Sequence, residues 1–269
     1  MASNALNLTV APLEAKFGIV AKELAVCDQH GEYAAIISKH RDGPSGCPVC
    51  AEIRQREQDA ERIEQERAKN AADRLANKLG AALIPARFRD RTFEGYIATE
   101  EKQVKALAIC REYAENFAEH YKVGRCLLLL GNVGTGKTHL AAAIANHIMR
   151  TTTATAVYRT VGGILQHIKG SYDRESEYSE ADAFAAYTKP SLLIIDEVGA
   201  TKPTEFELAS LFNIINGRYE EQLPTVVISN LPADELSGAL GERCVDRLRE
   251  GGGIAVGFGW KSARVRIKP

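Results

Sequence analysis

The sequence predicts an α/β fold, a parallel sheet packed between helices, preceded by a small N-terminal metal-binding module. Three observations carry this expectation. Short apolar runs alternate with helix-favouring segments from about residue 126 onward. A glycine-rich octapeptide, Gly131-Asn132-Val133-Gly134-Thr135-Gly136-Lys137-Thr138, lies between one such run and a helix-forming stretch. Cys27, His30, Cys47 and Cys50 cluster near the N-terminus, away from the other three cysteines.

The bulk numbers bound the problem. The 269 residues suffice for one substantial core and a smaller module. With 34 basic and 35 acidic residues the net charge is -1, so any nucleic-acid surface must be a local patch. Met1 to Val10 lacks a charged start and a long apolar core, so no secretory signal is expected. No apolar run approaches a membrane span. The expected setting is cytoplasmic, with reduced cysteines.

The N-terminal module, residues 1 to about 50, is expected to begin with a short helix over Leu13 to Ala25. Cys27-x-x-His30 and Cys47-Pro48-Val49-Cys50 are two short pairs separated by a loop. That donor set suits tetrahedral Zn²⁺ with three thiolates and one imidazole. A redox Cys-x-x-Cys would leave Cys27 and His30 unexplained. His40 is a poorer fourth ligand by its spacing. Cys110, Cys126 and Cys244 read as packing residues.

Residues 51–80 form a charged linker helix. Glu52 and Arg56 sit at i,i+4, while Asp59 with Arg62 and Glu64 with Arg67 sit at i,i+3. Gly80 is expected to end it. The third region, 81–269, opens with an extended lead-in through Ile84-Pro85-Ala86-Arg87-Phe88. An amphipathic helix follows over about 98 to 120, with Val104, Leu107, Ala108 and Tyr113 inward.

Cys126 to Leu130 is a buried strand, and Leu140 to Ile148 a helix. Between them the octapeptide reads G-x-x-x-x-G-K-[ST], a phosphate-binding P-loop. Its glycines let backbone N–H groups turn inward on a polyphosphate. Lys137 brings charge to the β- and γ-phosphates, and the Thr138 hydroxyl can ligate Mg²⁺. Strands are further expected at Ala154–Thr160, Ser191–Asp196, Thr225–Ile228 and Ile254–Phe258, with helices over Val161–Lys169 and Phe206–Tyr219. Such alternation indicates a parallel sheet.

Leu192 to Glu197 supplies the second half of a nucleotide-hydrolysing site: an apolar strand ending in two acids at the ligand-binding edge. Asp196 would hold Mg²⁺, and Glu197 would orient and polarise the attacking water. Asn230, after the next strand, could reach the γ-phosphate or that water. Arg243, Arg247, Arg249, Lys261, Arg264, Arg266 and Lys268 make the C-terminal stretch locally basic. Spacing alone leaves open a transition-state arginine, contacts to nucleic-acid phosphates and a solvated tail.

From about Ile84 to Arg266 the chain resembles the AAA+ ATPases of the DnaC type, bacterial and phage loaders of the replicative helicase. The resemblance rests on Ile84 to Phe88, Gly131 to Leu140, Leu193 to Gly199, Val227 to Leu231, Gly241 to Leu248, and Phe258-Gly259-Trp260 with Arg264. It implies ATP/ADP as the nucleotide and an abbreviated C-terminal lid. It implies sensor roles for Asn230 and Arg264, and an arginine finger at Arg247 acting on a neighbouring subunit, with Arg243 nearby. It also implies a self-oligomer that grips a DnaB-type helicase ring and admits single-stranded DNA, with the N-terminal module contacting the helicase. An IstB-like transposition helper ATPase, working on duplex DNA and a transposase, shares this core. The N-terminal zinc module argues against that alternative.

Overall fold

The computed structural model describes residues 8–262. The chain divides into two compact units between Asp73 and Arg74. That division falls inside the helix expected as a linker.

The first unit contains α1 (Pro12–Lys16), β1 (Ile19–Cys27), β2 (Gly31–Ser38) and the start of α2 (Pro48–Ala81). The expected helix over Leu13 to Ala25 is therefore corrected to one helical turn and a strand. Gly18 takes φ +81°, and a Cβ there would lie 2.8 Å from His40 Nε2. Such a residue ends a helix. The β-branched Ile19-Val20 pair beyond it then favours extended backbone. β1 and β2 pair antiparallel, closing from Ile19↔Ser38 to Cys27↔Gly31. α2 is 34 residues long, buries no side chain and runs one residue past Gly80. Arg56–Glu52 at 2.6 Å and Arg62–Asp59 at 3.0 Å pair as expected, while Glu64–Arg67 does not close.

The second unit is built on five parallel strands. After a 3₁₀ turn at Ala86–Phe88 come α3 (Glu101–Glu115), α4 (Phe117–Lys122), β3 (Leu127–Gly131), α5 (Lys137–Thr151) and β4 (Ala156–Thr160). Then follow α6 (Val161–Gly170), α7 (Glu180–Thr188), β5 (Leu192–Val198), α8 (Glu205–Glu220), β6 (Thr225–Ser229), α9 (Leu236–Leu240), α10 (Glu242–Arg249) and β7 (Ile254–Phe258). The sheet order is β4-β5-β6-β3-β7. Every neighbouring pair is parallel. Beyond β6 the described residues hold only α9, α10 and β7, with no helical bundle.

Alternation along each strand sends side chains to two cores. Leu127, Leu129, Ala156, Tyr158, Leu192, Ile194, Val226 and Ile228 pack under α3 and α5. Leu128, Leu130, Leu193, Ile195 and Val227 pack under α6, α7, α8, α9 and α10. The inward face of α3 is Gln103, Ala106, Cys110, Tyr113 and Ala114. Val104, expected inside, is 52% exposed, and Ala108 is exposed too. The face is set by the neighbour: α3 lies close to α5, whose own core face is rich in alanine, and turns Ala106, Cys110 and Ala114 into the core.

Arg218 is fully buried in the second core. It donates to Pro224 O at 2.6 Å, Pro190 O at 2.8 Å, Tyr187 O at 3.0 Å and Thr225 Oγ1 at 3.0 Å. Its guanidinium thus satisfies loop carbonyls before β5 and β6 that the helices cannot reach.

Candidate functional site

The P-loop wraps the junction of β3 and α5. Gly131, Gly134 and Gly136 take φ +121°, +76° and +98°. A Cβ on Gly131 would meet Phe258 O at 2.7 Å, and one on Gly136 the Tyr96 ring at 2.5 Å. Two polar aromatic tips fix the loop from outside. The Tyr96 hydroxyl and Trp260 Nε1 donate to Thr135 O at 3.0 and 3.1 Å. Burial pushes the Tyr96 phenol up to about 12, so it stays a donor.

Lys137 is only 5% exposed. Its ammonium donates to Gly131 O at 2.6 Å, Asn132 O at 2.7 Å and Asn230 Oδ1 at 2.9 Å. Asn230 is thereby brought from the end of β6 to the P-loop. Asp196, 7% exposed, accepts from Thr138 Oγ1 at 3.0 Å and from the Glu197 N–H at 2.6 Å. It also accepts from the Tyr158 hydroxyl. The β5–β6 register slips between Ile195 and Val198, a bulge that sets Asp196 inward and leaves Glu197 exposed. Glu197 itself stands at φ +61°, where glycine is favoured.

These groups line a cavity of about 350 Å³ with Arg87, Phe88, Arg91, His139 and Ile228. The first four were not anticipated as site residues. The 3₁₀ turn brings Arg87 and Phe88 to the rim, whereas an extended lead-in gave no reason to expect them there. His139 donates to or accepts nothing in the sheet; its Nε2 lies 2.9 Å from Thr92 O, and burial lowers its pKa.

Arg247 lies elsewhere. It lines a second cavity of about 330 Å³ with Val123, Cys126 and Thr225, at the amino ends of β3 and β6. Its guanidinium stands 4.3 Å over the Tyr219 ring and 3.3 Å from Glu250. Lys137 and Asp196 belong to the carboxyl edge, so Arg247 does not join this chain's own P-loop. Arg243 is exposed one turn before it on α10. Arg264 lies outside the described residues.

In the first unit, Cys27 and His30 flank the hairpin turn, and Cys47 and Cys50 lie at the start of α2. All four donor atoms lie within 4.8 Å of one another. Cys27 Sγ–Cys50 Sγ is 3.6 Å, and His30 Nδ1 stands 3.6, 3.7 and 3.2 Å from Cys27, Cys47 and Cys50. Bonds of about 2.3 Å to sulfur and 2.0–2.1 Å to nitrogen at tetrahedral angles require separations of about 3.4–3.8 Å. The donor set suits zinc, and the separations, from 3.2 Å to no more than 4.8 Å, bracket that range. The Gln29 N–H, then the His30 side chain and N–H, lower the Cys27 thiol to about 6. Its hydrogen bond to Cys27, then burial, raises Cys50 to about 11. Burial likewise raises the Cys110 thiol to about 12 and the Cys244 thiol to about 11, as expected for packing residues.

The family described as IstB-like ATP binding protein matches residues 56–248. The chain belongs to the IstB/DnaC family of AAA+ ATPases. It is 31% identical over 213 residues to the replicative helicase loader DnaC of Escherichia coli (strain K12), spanning 79% of this chain and 85% of that protein. The crystal structure of the DnaC helicase loader superposes with a TM-score of 0.58 at 20% identity, over 64% of this chain and 99% of that one. The replication initiator DnaA bound to AMPPCP and single-stranded DNA gives 0.55 at 23% identity, over 66% of this chain and 52% of that one. These two likenesses fix the AAA+ fold. As a member of this ATPase family the chain takes nucleotide. No described helix is long and apolar enough to cross a membrane.

The backbone at Glu197 gives a direct check. Glu197→Gly is expected to be more stable than Glu197→Ala by about 1 kcal/mol, because only glycine takes positive φ without strain. Denaturant unfolding of both variants measures it, and alanine equal to or above glycine would contradict the geometry.

Proposed function

We propose that this protein is an ATP-dependent loader of a replicative, hexameric DnaB-type helicase, working in the cytoplasm with single-stranded DNA at replication initiation. Its similarity to the DnaC loader along most of that protein's length carries the reading. The cis groups gathered around the P-loop support the ATP-dependent part.

In this reading the N–H groups of Gly131 to Thr138 cradle the phosphates, and Lys137 turns its ammonium from the loop carbonyls onto them. Thr138 and Asp196, a hydroxyl and a carboxylate 3.0 Å apart, are a fitting seat for Mg²⁺. Glu197 accepts the proton of the attacking water as its oxygen bonds to the γ-phosphorus and the bond to the β–γ bridging oxygen breaks. Asn230 holds the γ-phosphate side of the cavity. Arg247 enters the site of a neighbouring subunit, with Arg243 beside it, and its distance from its own P-loop supports that role. Arg264 is kept as the second sensor on the sequence resemblance alone. Cys27, His30, Cys47 and Cys50 hold Zn²⁺ and shape the module that meets the helicase.

With ATP, the protein is expected to co-elute with its cognate hexameric helicase and to prefer single-stranded over duplex DNA. No complex with any cognate helicase, with or without ATP, sinks the loader reading. Preference for duplex DNA with filament growth favours the transposition-helper alternative, to which the IstB-like family description lends support.

Two further outcomes test the site. Lys137→Ala and Arg247→Ala proteins, each inactive alone, should regain part of the ATPase rate when mixed. No recovery in subunits proven to co-assemble rules out a trans arginine. Native mass spectrometry should find about one zinc per chain, lost in Cys50→Ser together with protection of the N-terminal unit from proteolysis. A metal-free native protein with the same protection removes the zinc assignment.

A further inference from the structure

We infer that Tyr158 is a positioning residue of the ATPase site: its hydroxyl holds Asp196 and sets how readily the chain takes Mg²⁺. This rests on the reading above that Thr138 and Asp196 seat the ion.

Tyr158 is 3% exposed on β4, one of the two edge strands of the sheet. It pairs in register with Ile194 and shares its core, the one beneath α5. Asp196 is two residues further along β5, on the same face. The phenol runs up this face and donates to Asp196 Oδ2, the oxygen that also accepts from Thr138 Oγ1 at 3.0 Å. Oδ1 takes the Glu197 N–H at 2.6 Å. Donors from β4, α5 and β5 therefore fix one carboxylate. Only the Tyr158 donor comes from outside the two motifs that define the site.

A phenylalanine would fill the same core volume, so packing alone does not call for the hydroxyl. A buried carboxylate short of donors turns away toward other partners. Held by Tyr158, Asp196 meets the ion already oriented.

The test is a fluorescent ADP analogue titrated onto the full-length protein in EDTA and across a Mg²⁺ series. For Tyr158→Phe, affinity in EDTA is expected to stay within about twofold of wild type. The half-saturating Mg²⁺ concentration is expected to rise about five- to tenfold, within the range of one typical lost hydrogen bond. Tyr158→Met, which also lacks the donor, should give the same shift. A wild-type Mg²⁺ requirement in either variant, a tighter one, or equal weakening in EDTA and in Mg²⁺ overturns the inference. Asp196→Asn separates the two readings. If it leaves the Mg²⁺ dependence intact, the metal seat itself is wrong. If it abolishes the dependence while Tyr158→Phe does not change it, only the role of Tyr158 falls.

Discussion

Two opposite charges must be held at the end of an apolar sheet, and the rest of the second unit is arranged around that requirement. Lys137 and Asp196 are 5% and 7% exposed. An uncompensated buried ion costs several kcal/mol. Here the compensation comes from the fold itself. The loop carbonyls of Gly131 and Asn132 and the Asn230 amide oxygen receive the ammonium. Donors from three elements meet the carboxylate. These partners coincide only when β3, β5 and β6 are in register and α5 starts where it does. The site and the fold are one solution, and nucleotide phosphates can replace the loop carbonyls without leaving the ammonium unpaired.

The P-loop's shape is enforced by its surroundings. Phe258 O accepts the Asn132 N–H at 2.9 Å, from a strand far along the chain. Tyr96 and Trp260 approach Thr135 O from segments on either side of the motif in sequence. The lead-in segment and the end of β7 are therefore tied to the loop. The arginine on α10 belongs to the other end of the strands, beside Tyr219 and Glu250. A parallel sheet offers two ends, and this one carries the P-loop cavity at one and the Arg247 cation at the other.

The first unit faces the opposite physical problem. Among its described residues the buried apolar side chains are Ala35 and Cys47, far too few to form a core. A hairpin and a helix start of this size need a crosslink, and four convergent donor atoms supply the place for one. α2 then extends with no buried residue, its first part held by local backbone bonds and exposed ion pairs and its end by Lys78, which donates to Met149 O and Thr152 O. Such pairs add only a few tenths of a kcal/mol each. Its helicity follows from propensity, which charged and alanine-rich sequence provides.

What the sequence determined by itself is what short-range chemistry dictates. Gly131 to Thr138, the Asp196-Glu197 pair and the Cys/His quartet depend on fixed spacings, and the structure gathers the groups of each. Buried parallel strands were legible because both of their faces are apolar. The tertiary structure decided whatever depends on the angle between elements. Val104 faces solvent because α3 turns its small residues to α5. Tyr158 reads as one more strand aromatic until β4 is laid beside β5. Arg87, Phe88 and Arg91 reach the cavity only through a 3₁₀ turn. The β1–β2 hairpin was hidden because Lys22, Glu23 and Ala25 favour helix. Gly18 and the cross-strand pairing override that weak local preference.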